Sequence, residues 1–178
     1  PGYTILMKFL LVKLIFFFLF TGFSIANENI RFININFIIN NSEVGKNLNK
    51  LIEDKNKQIN TELNKISEKL EKEKNKIVKQ KNVLKKEDFD ELVKNYDDKI
   101  KKFNKTRKTR TAEFNQFRIN SKKKIIDTLN PIITNFLKKE SIQILLQKEK
   151  IIFGDEKLDI TEEILNIFNK KHKKLNFE

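Results

Sequence analysis

Ser141–Lys171 reads SIQILLQKEKIIFGDEKLDITEEILNIFNKK. Ile142–Leu146 and Lys150–Phe153 are short apolar runs around the polar Gln147-Lys148-Glu149-Lys150, a pattern that predicts two strands joined by a turn. Gly154-Asp155 ends the second run. A helix then opens at Leu158-Asp159-Ile160-Thr161, with Thr161 as the expected cap and Glu162 and Glu163 beside the positive end of its dipole. Ile160, Ile164, Leu165 and Phe168 give it one apolar face. No residue here has a catalytic character, and two strands need partners from elsewhere in the chain.

The partner lies at the other end. Ile30–Ile38 (IRFININFI) sets Ile33, Ile35 and Phe37 on one face and Asn34 and Asn36 on the other, which predicts a half-buried strand. Asn40-Asn41-Ser42 breaks it and offers a cap for a helix starting at Glu43.

Between these ends the period changes. From Glu43 to Lys85 apolar residues fall at Ile52, Ile59, Leu63, Ile66, Leu70, Ile77 and Leu84, the stripe of a long, partly coiled-coil helix. Glu73 and Gln80 interrupt it. After Lys85-Lys86-Glu87-Asp88, a second stripe runs through Phe89, Val93, Tyr96, Ile100 and Phe103 and resumes at Phe114 and Phe117. A turn near residue 86 mirrors one stripe on the other: Leu84 faces Phe89, Ile77 faces Tyr96, Leu70 faces Phe103 and Ile59 faces Phe114. The reading is an antiparallel hairpin with arms of about 60 Å, which has no globular core and projects into solvent. The second arm continues through Ile125, Ile126 and Leu129 to Pro131, where a kink and a further short helix are expected.

The front of the chain reads as an export signal. Met7-Lys8 and Lys13 are basic, Leu14–Phe23 is apolar, and Ser24-Ile25-Ala26 supplies small residues for cleavage after Ala26. Met7 is the expected start, with Pro1–Leu6 upstream. About thirteen residues separate Lys13 from Asn27, where a spanning helix needs roughly twenty. The chain has no cysteine and one histidine, His172, which leaves little for thiol chemistry, metal binding or general-base catalysis. Adjacent Asp97 and Asp98 do not face each other on a helix. The formal charge of +13 favours acidic partners such as nucleic acid, anionic lipid or acidic polypeptide, and export disfavours the first.

Lys99–Arg110 (KIKKFNKTRKTR) concentrates that charge in Lys99, Lys101, Lys102, Lys105, Arg107, Lys108 and Arg110, with no acid among them. Arg107 and Arg110 fall where the rhythm expects seam residues, opposite Ile66 and Leu63. Their stems can cover the seam while their heads reach water; alternatively the tract is a surface for negatively charged clients or lipopolysaccharide phosphates. Thr106, Thr109 and Thr111 sit where the seam lapses, a candidate joint.

The opening strand with Asn34, then Ser42-Glu43-Val44-Gly45-Lys46, Leu129-Asn130-Pro131-Ile132, Ile144-Leu145-Leu146, Ile151-Ile152-Phe153 and Leu158-Asp159-Ile160-Thr161 together resemble the OmpH/Skp family of periplasmic chaperones. The resemblance covers essentially all of the chain after the signal. It implies a homotrimer whose strands form a compact body and whose helical tentacles enclose a cavity for unfolded outer-membrane proteins. It implies no active site and no ATP; no cofactor is expected, and the lone His172 and lack of cysteine offer no metal site. The heavy use of Asn, Ile and Phe departs from the family and leaves client preference open.

The expected fold is α+β and mostly α: a long hairpin projecting from a small sheet with a C-terminal helix, the body completed by trimerisation. Residues 1–26 are upstream residues plus signal, 27–41 the first strand of the body, 42–130 the hairpin and 131–178 the rest of the body. Ile33, Ile35, Phe37, Ile144, Leu146, Ile152, Ile160 and Ile164 are the candidate core of the body and its trimer contacts. The expected function is an ATP-independent periplasmic holdase for outer-membrane β-barrel proteins. An envelope tethering coiled coil, equally non-enzymatic, is the alternative.

Overall fold

The computed structural model describes residues 29–177; the expected export signal and cleavage position lie outside them. Strand β1 (Ile30–Ile33) pairs in parallel with β2 (Ile144–Gln147), Ile30 opposite Ile144 and Ile33 opposite Gln147. Parallel neighbours need a long crossover. Here the crossover is the whole helical hairpin, so the two ends of the chain meet in one sheet as the sequence predicts. Phe32 also bridges to Asp159 on the far side of β1, with the Ile160 amide donating to the Phe32 carbonyl at 3.0 Å.

The first strand is shorter than its alternation suggests. The Asn34 side chain accepts the Phe37 amide at 2.7 Å and turns the chain into helix α1 (Ile35–Asn41). Ile35, Ile38 and Ile39 then share a helical face, and Ile38 and Ile39 are buried. A strand through residue 38 would have put Ile38 on the Asn face. Phe37, expected inside, is exposed.

Ser42 caps helix α2 (Glu43–Gln80) as expected, its buried hydroxyl accepting the Gly45 amide at 3.0 Å. Gly45 is where α1 and α2 nearly touch: a Cβ there would lie 1.6 Å from the Ile39 carbonyl oxygen. The turn occupies 81–85, slightly earlier than read from the sequence, and helix α3 (Lys86–Lys139) returns. The arms are about 57 and 81 Å long at 1.5 Å per residue.

Cross-arm contacts fix the register. Glu73 meets Lys99, Glu62 meets Arg110, and Lys55 lies 4.7 Å from the Phe117 ring. Each pair is one residue from the predicted mirror. Leu70 and Ile77 are buried at the seam, and Ile52, Ile59, Leu63, Ile66, Phe103, Phe114 and Phe117 are half-buried.

Pro131 does not divide the second arm; α3 runs through it. Pro131 is exposed, so the Asp127 carbonyl that loses its helical donor is on the wet side. Ile125, Leu129 and Ile132 are buried and anchor the turns on both sides of it. Ser141 ends the arm at φ 52°, the left-handed conformation usual for glycine, with the Ile142 amide reaching back to the Leu137 carbonyl at 2.9 Å.

The second predicted strand, Lys150–Phe153, is absent from the described residues. After β2 a 3-10 turn at Lys148–Lys150 lifts the chain off the sheet. The turn is held by Lys148, whose Nζ reaches Asp159 at 2.5 Å and lies 5.9 Å from the Phe32 ring. Helix α4 (Thr161–Lys171) closes the body. Thr161 is its first residue and not its cap: Ile160 holds the cap position without a side-chain bond, and the Asp159 carboxylate accepts the Thr161 amide at 2.9 Å and the Thr161 hydroxyl. That frees the Thr161 oxygen to accept the Asn34 amide at 2.9 Å, joining α4 to the end of β1. Ile33, Ile38, Val44, Leu48, Ile125, Leu129, Ile160, Ile164 and Phe168 form the core where all these elements converge.

Candidate functional site

Two surfaces stand out: the basic tract halfway along α3 and an apolar strip on the body. In the tract, the acids that temper the charge come from neighbouring turns and the opposite arm. Lys99 pairs with Glu73 at 2.5 Å and Lys101 with Asp98 at 3.0 Å. Arg110 pairs with Glu62 at 3.4 Å and Glu113 at 3.2 Å. These hydrogen bonds and charges raise the Lys101 and Arg110 pKa values, so both stay cationic. Among the described residues no ion pair engages Lys102, Lys105, Arg107 or Lys108, and all four are exposed.

Arg107 is not a seam residue. Thr106 is half-buried in its place and Arg107 points to solvent. Arg110 does lie at the seam edge, over a cleft of about 270 Å³ lined by Lys55, Ile59, Glu62, Phe114 and Phe117. Its guanidinium crosses to the other arm where coiled-coil packing would place an apolar side chain. The lapse in the apolar stripe is therefore a physical gap in the seam.

On the body, Ile33, Ile160 and Ile164 are in the core and Ile35 packs half-buried against it. Ile144 and Leu146 are each 43% exposed, and Ile152 and Phe153 are 103% and 93% exposed. β2 has a strand on one side alone among the described residues. An open strand edge beside fully exposed Ile and Phe is a surface shaped for another chain. Phe153 belongs with the sequence candidates Ile144, Leu146 and Ile152; a strand reading of 150–153 hid it, because alternation turns one of two adjacent residues inward.

The body also holds one perturbed carboxylate. Burial alone would push the Asp159 carboxyl up, but hydrogen bonds from Lys148 and from the hydroxyl and amide of Thr161 outweigh it and hold the group below its ordinary value. Asp159 is a structural anion joining β2 and α4. Among the described residues no group of three His, Cys, Asp or Glu side chains is placed to hold a metal, and no helix is long and apolar enough to cross a membrane. His172 stacks on Phe168, ring centroids 5.4 Å apart.

The family description "Outer membrane protein (OmpH-like)" matches residues 29–168, from the first strand to the last helix. The chain belongs to the OmpH-like outer membrane protein family. Its fold is also that of an OmpH-like outer membrane chaperone from Caulobacter crescentus CB15, with a TM-score of 0.79 at 18% identity over 86% of this chain and 90% of that one. No curated protein matches the sequence.

Proposed function

We propose that the chain is an ATP-independent periplasmic holdase that keeps unfolded outer-membrane β-barrel proteins from aggregating before insertion. Three copies join through their bodies, and their hairpins surround a cavity where the client is held. The observation that carries this reading is the pairing of an OmpH-like hairpin, too long to be buried by its own body, with an apolar strip on that body. The hairpin supplies walls and the strip supplies the joint between copies. The unpaired cations Lys102, Lys105, Arg107 and Lys108 add long-range attraction for acidic clients, and the same tract suits lipopolysaccharide or anionic lipid phosphates. Many weak contacts along the walls fit a client without fixed structure, and release needs no nucleotide. Export by residues 7–26, with cleavage after Ala26, delivers the mature chain to the periplasm.

The test is dilution of a urea-unfolded β-barrel protein into the chain beginning at Asn27, followed by light scattering. Suppression that saturates near three chains per client supports the proposal. Full aggregation in the presence of excess folded chain would move the assignment to an envelope tether.

A further inference from the structure

Residues 172–177 leave α4 and run back over the root of the hairpin. His172 is extended, at φ −131° and ψ 106°. Beyond it Leu175 and Phe177 are half-buried while Lys174 and Asn176 are exposed. That alternation belongs to an extended chain laying every second side chain on an apolar surface. The surface is the core cluster that includes Val44, Leu48 and Ile125. Side chains from both arms hold the main chain there. Asn47 Nδ2 of α2 donates to the Lys173 carbonyl at 3.3 Å, and Lys124 Nζ of α3 donates to the Asn176 carbonyl at 2.6 Å. Lys173 Nζ pairs with Glu43 at 2.7 Å. The family match stops at Phe168, before this segment.

Apart from the Lys173–Glu43 pair, these contacts read spacing and backbone, not sequence. A side-chain donor aimed at a peptide carbonyl takes any residue there, and two apolar seats two residues apart take any extended segment with large side chains at alternate positions. The attachments are also easy to exchange: the ion pair and hydrogen bonds face water, and neither apolar side chain is fully buried. We propose that the notch between Asn47 and Lys124 is a binding site for extended polypeptide with alternating apolar side chains. It is occupied by the chain's own residues 173–177 and yields to a competing segment. The identity of that segment as a client rests on the chaperone reading; the site does not. A tethered occupant acts at an effective concentration on the order of millimolar, which screens out weak competitors and lowers apparent affinity by the fraction of time the notch is closed.

A fluorescein-labelled peptide with the sequence of residues 173–178, KKLNFE, is titrated by anisotropy against the full chain and against the Leu175→Ser/Phe177→Ser double variant. The variant should bind it at least about ten-fold more tightly than the unaltered chain, and a peptide with both apolar residues replaced by serine should not bind. Equal affinity for the two chains, or equal binding of the serine peptide, would overturn the site. Should the double variant not fold, amide exchange in the unaltered chain decides: excess peptide should speed exchange across residues 173–177, and unchanged exchange overturns the proposal. Peptide capture without suppression of client aggregation would keep the site and remove the chaperone reading, whereas the reverse result would remove the site alone.

Discussion

Lys148 and Asp159 form an ion pair of 2.5 Å that ties the end of β2 to the start of α4. Asp159 simultaneously accepts the amide of Thr161, the first residue of α4, so one carboxylate serves two junctions. Asp159→Asn should lower stability by about 1–2 kcal/mol, the usual cost of losing a charged hydrogen-bond acceptor, read as a lower melting temperature by circular dichroism. The folded Asp159 pKa is depressed, so its contribution is complete above the unfolded value of about 4 and fades as the pH falls through the lower folded value. The Asn variant should therefore lose less stability than the parent across that acidic window. Parallel pH curves for the two proteins would show that the pair contributes nothing.

Gly45→Ala separates propensity from packing. On an open helix the change stabilises by roughly 1 kcal/mol. With the Ile39 carbonyl oxygen 1.6 Å from the new Cβ, it should instead destabilise by about 1–3 kcal/mol or more. Chemical denaturation gives the sign directly.

Arg110→Leu fills the gap in the seam. The pairs it removes, with Glu62 and Glu113, are solvent-exposed and worth about 0–1 kcal/mol, and a leucine beside Ile59 and Phe114 gains a comparable amount by burial. The variant should match or exceed the parent in stability. Amide exchange at residues 106–111 should also slow toward that of 62–77. A loss above about 2 kcal/mol would mean that the guanidinium holds the arms together.

Ile152→Ser with Phe153→Ser should leave the single-chain fold intact, because both side chains are outside the core. On the proposed assembly, the parent should sediment as a trimer and the variant as a monomer. Trimers in both would move the joint between copies to another surface.

Neutralising Lys101, Lys102, Lys105, Arg107 and Lys108 to glutamine should weaken client capture several-fold at low ionic strength and little at high salt, where the Debye length falls to about 3 Å near 1 M. Capture that is unchanged across a salt series would strip the tract of its role.

The hairpin was legible because a period of three and four over about seventy residues has few other solutions, and the mirror between Leu70 and Phe103 predicts the register to one residue. The parallel sheet was legible only as two ends brought together. What failed was local and had a common cause. Asn34 and Lys148 each end a strand by a side-chain contact, to the Phe37 amide and to Asp159, and such contacts compete with alternation that continues on either side. Thr161 lost the cap position because its hydroxyl is committed to Asp159 and to the Asn34 amide, and the helix begins at Thr161 itself. In the basic tract the positive residues were plain, but Glu62 and Glu73 lie more than twenty residues away in sequence, so the pairing emerged only with the fold. The contact of residues 173–177 with both arms left no periodic signal beyond Leu175 and Phe177.

The pairing of Ile30 with Ile144 also sets an order of events. A strand pair that spans so much chain gains nothing until its ends have been brought close, since closure of a long loop is entropically costly. The arms meet first at the turn, where contacts are between near neighbours, and zip toward the body. Only then does Ile33 find Gln147. The hairpin thus forms before the sheet, and the open edge of β2 beside Ile152 and Phe153 is among the last surfaces to take shape.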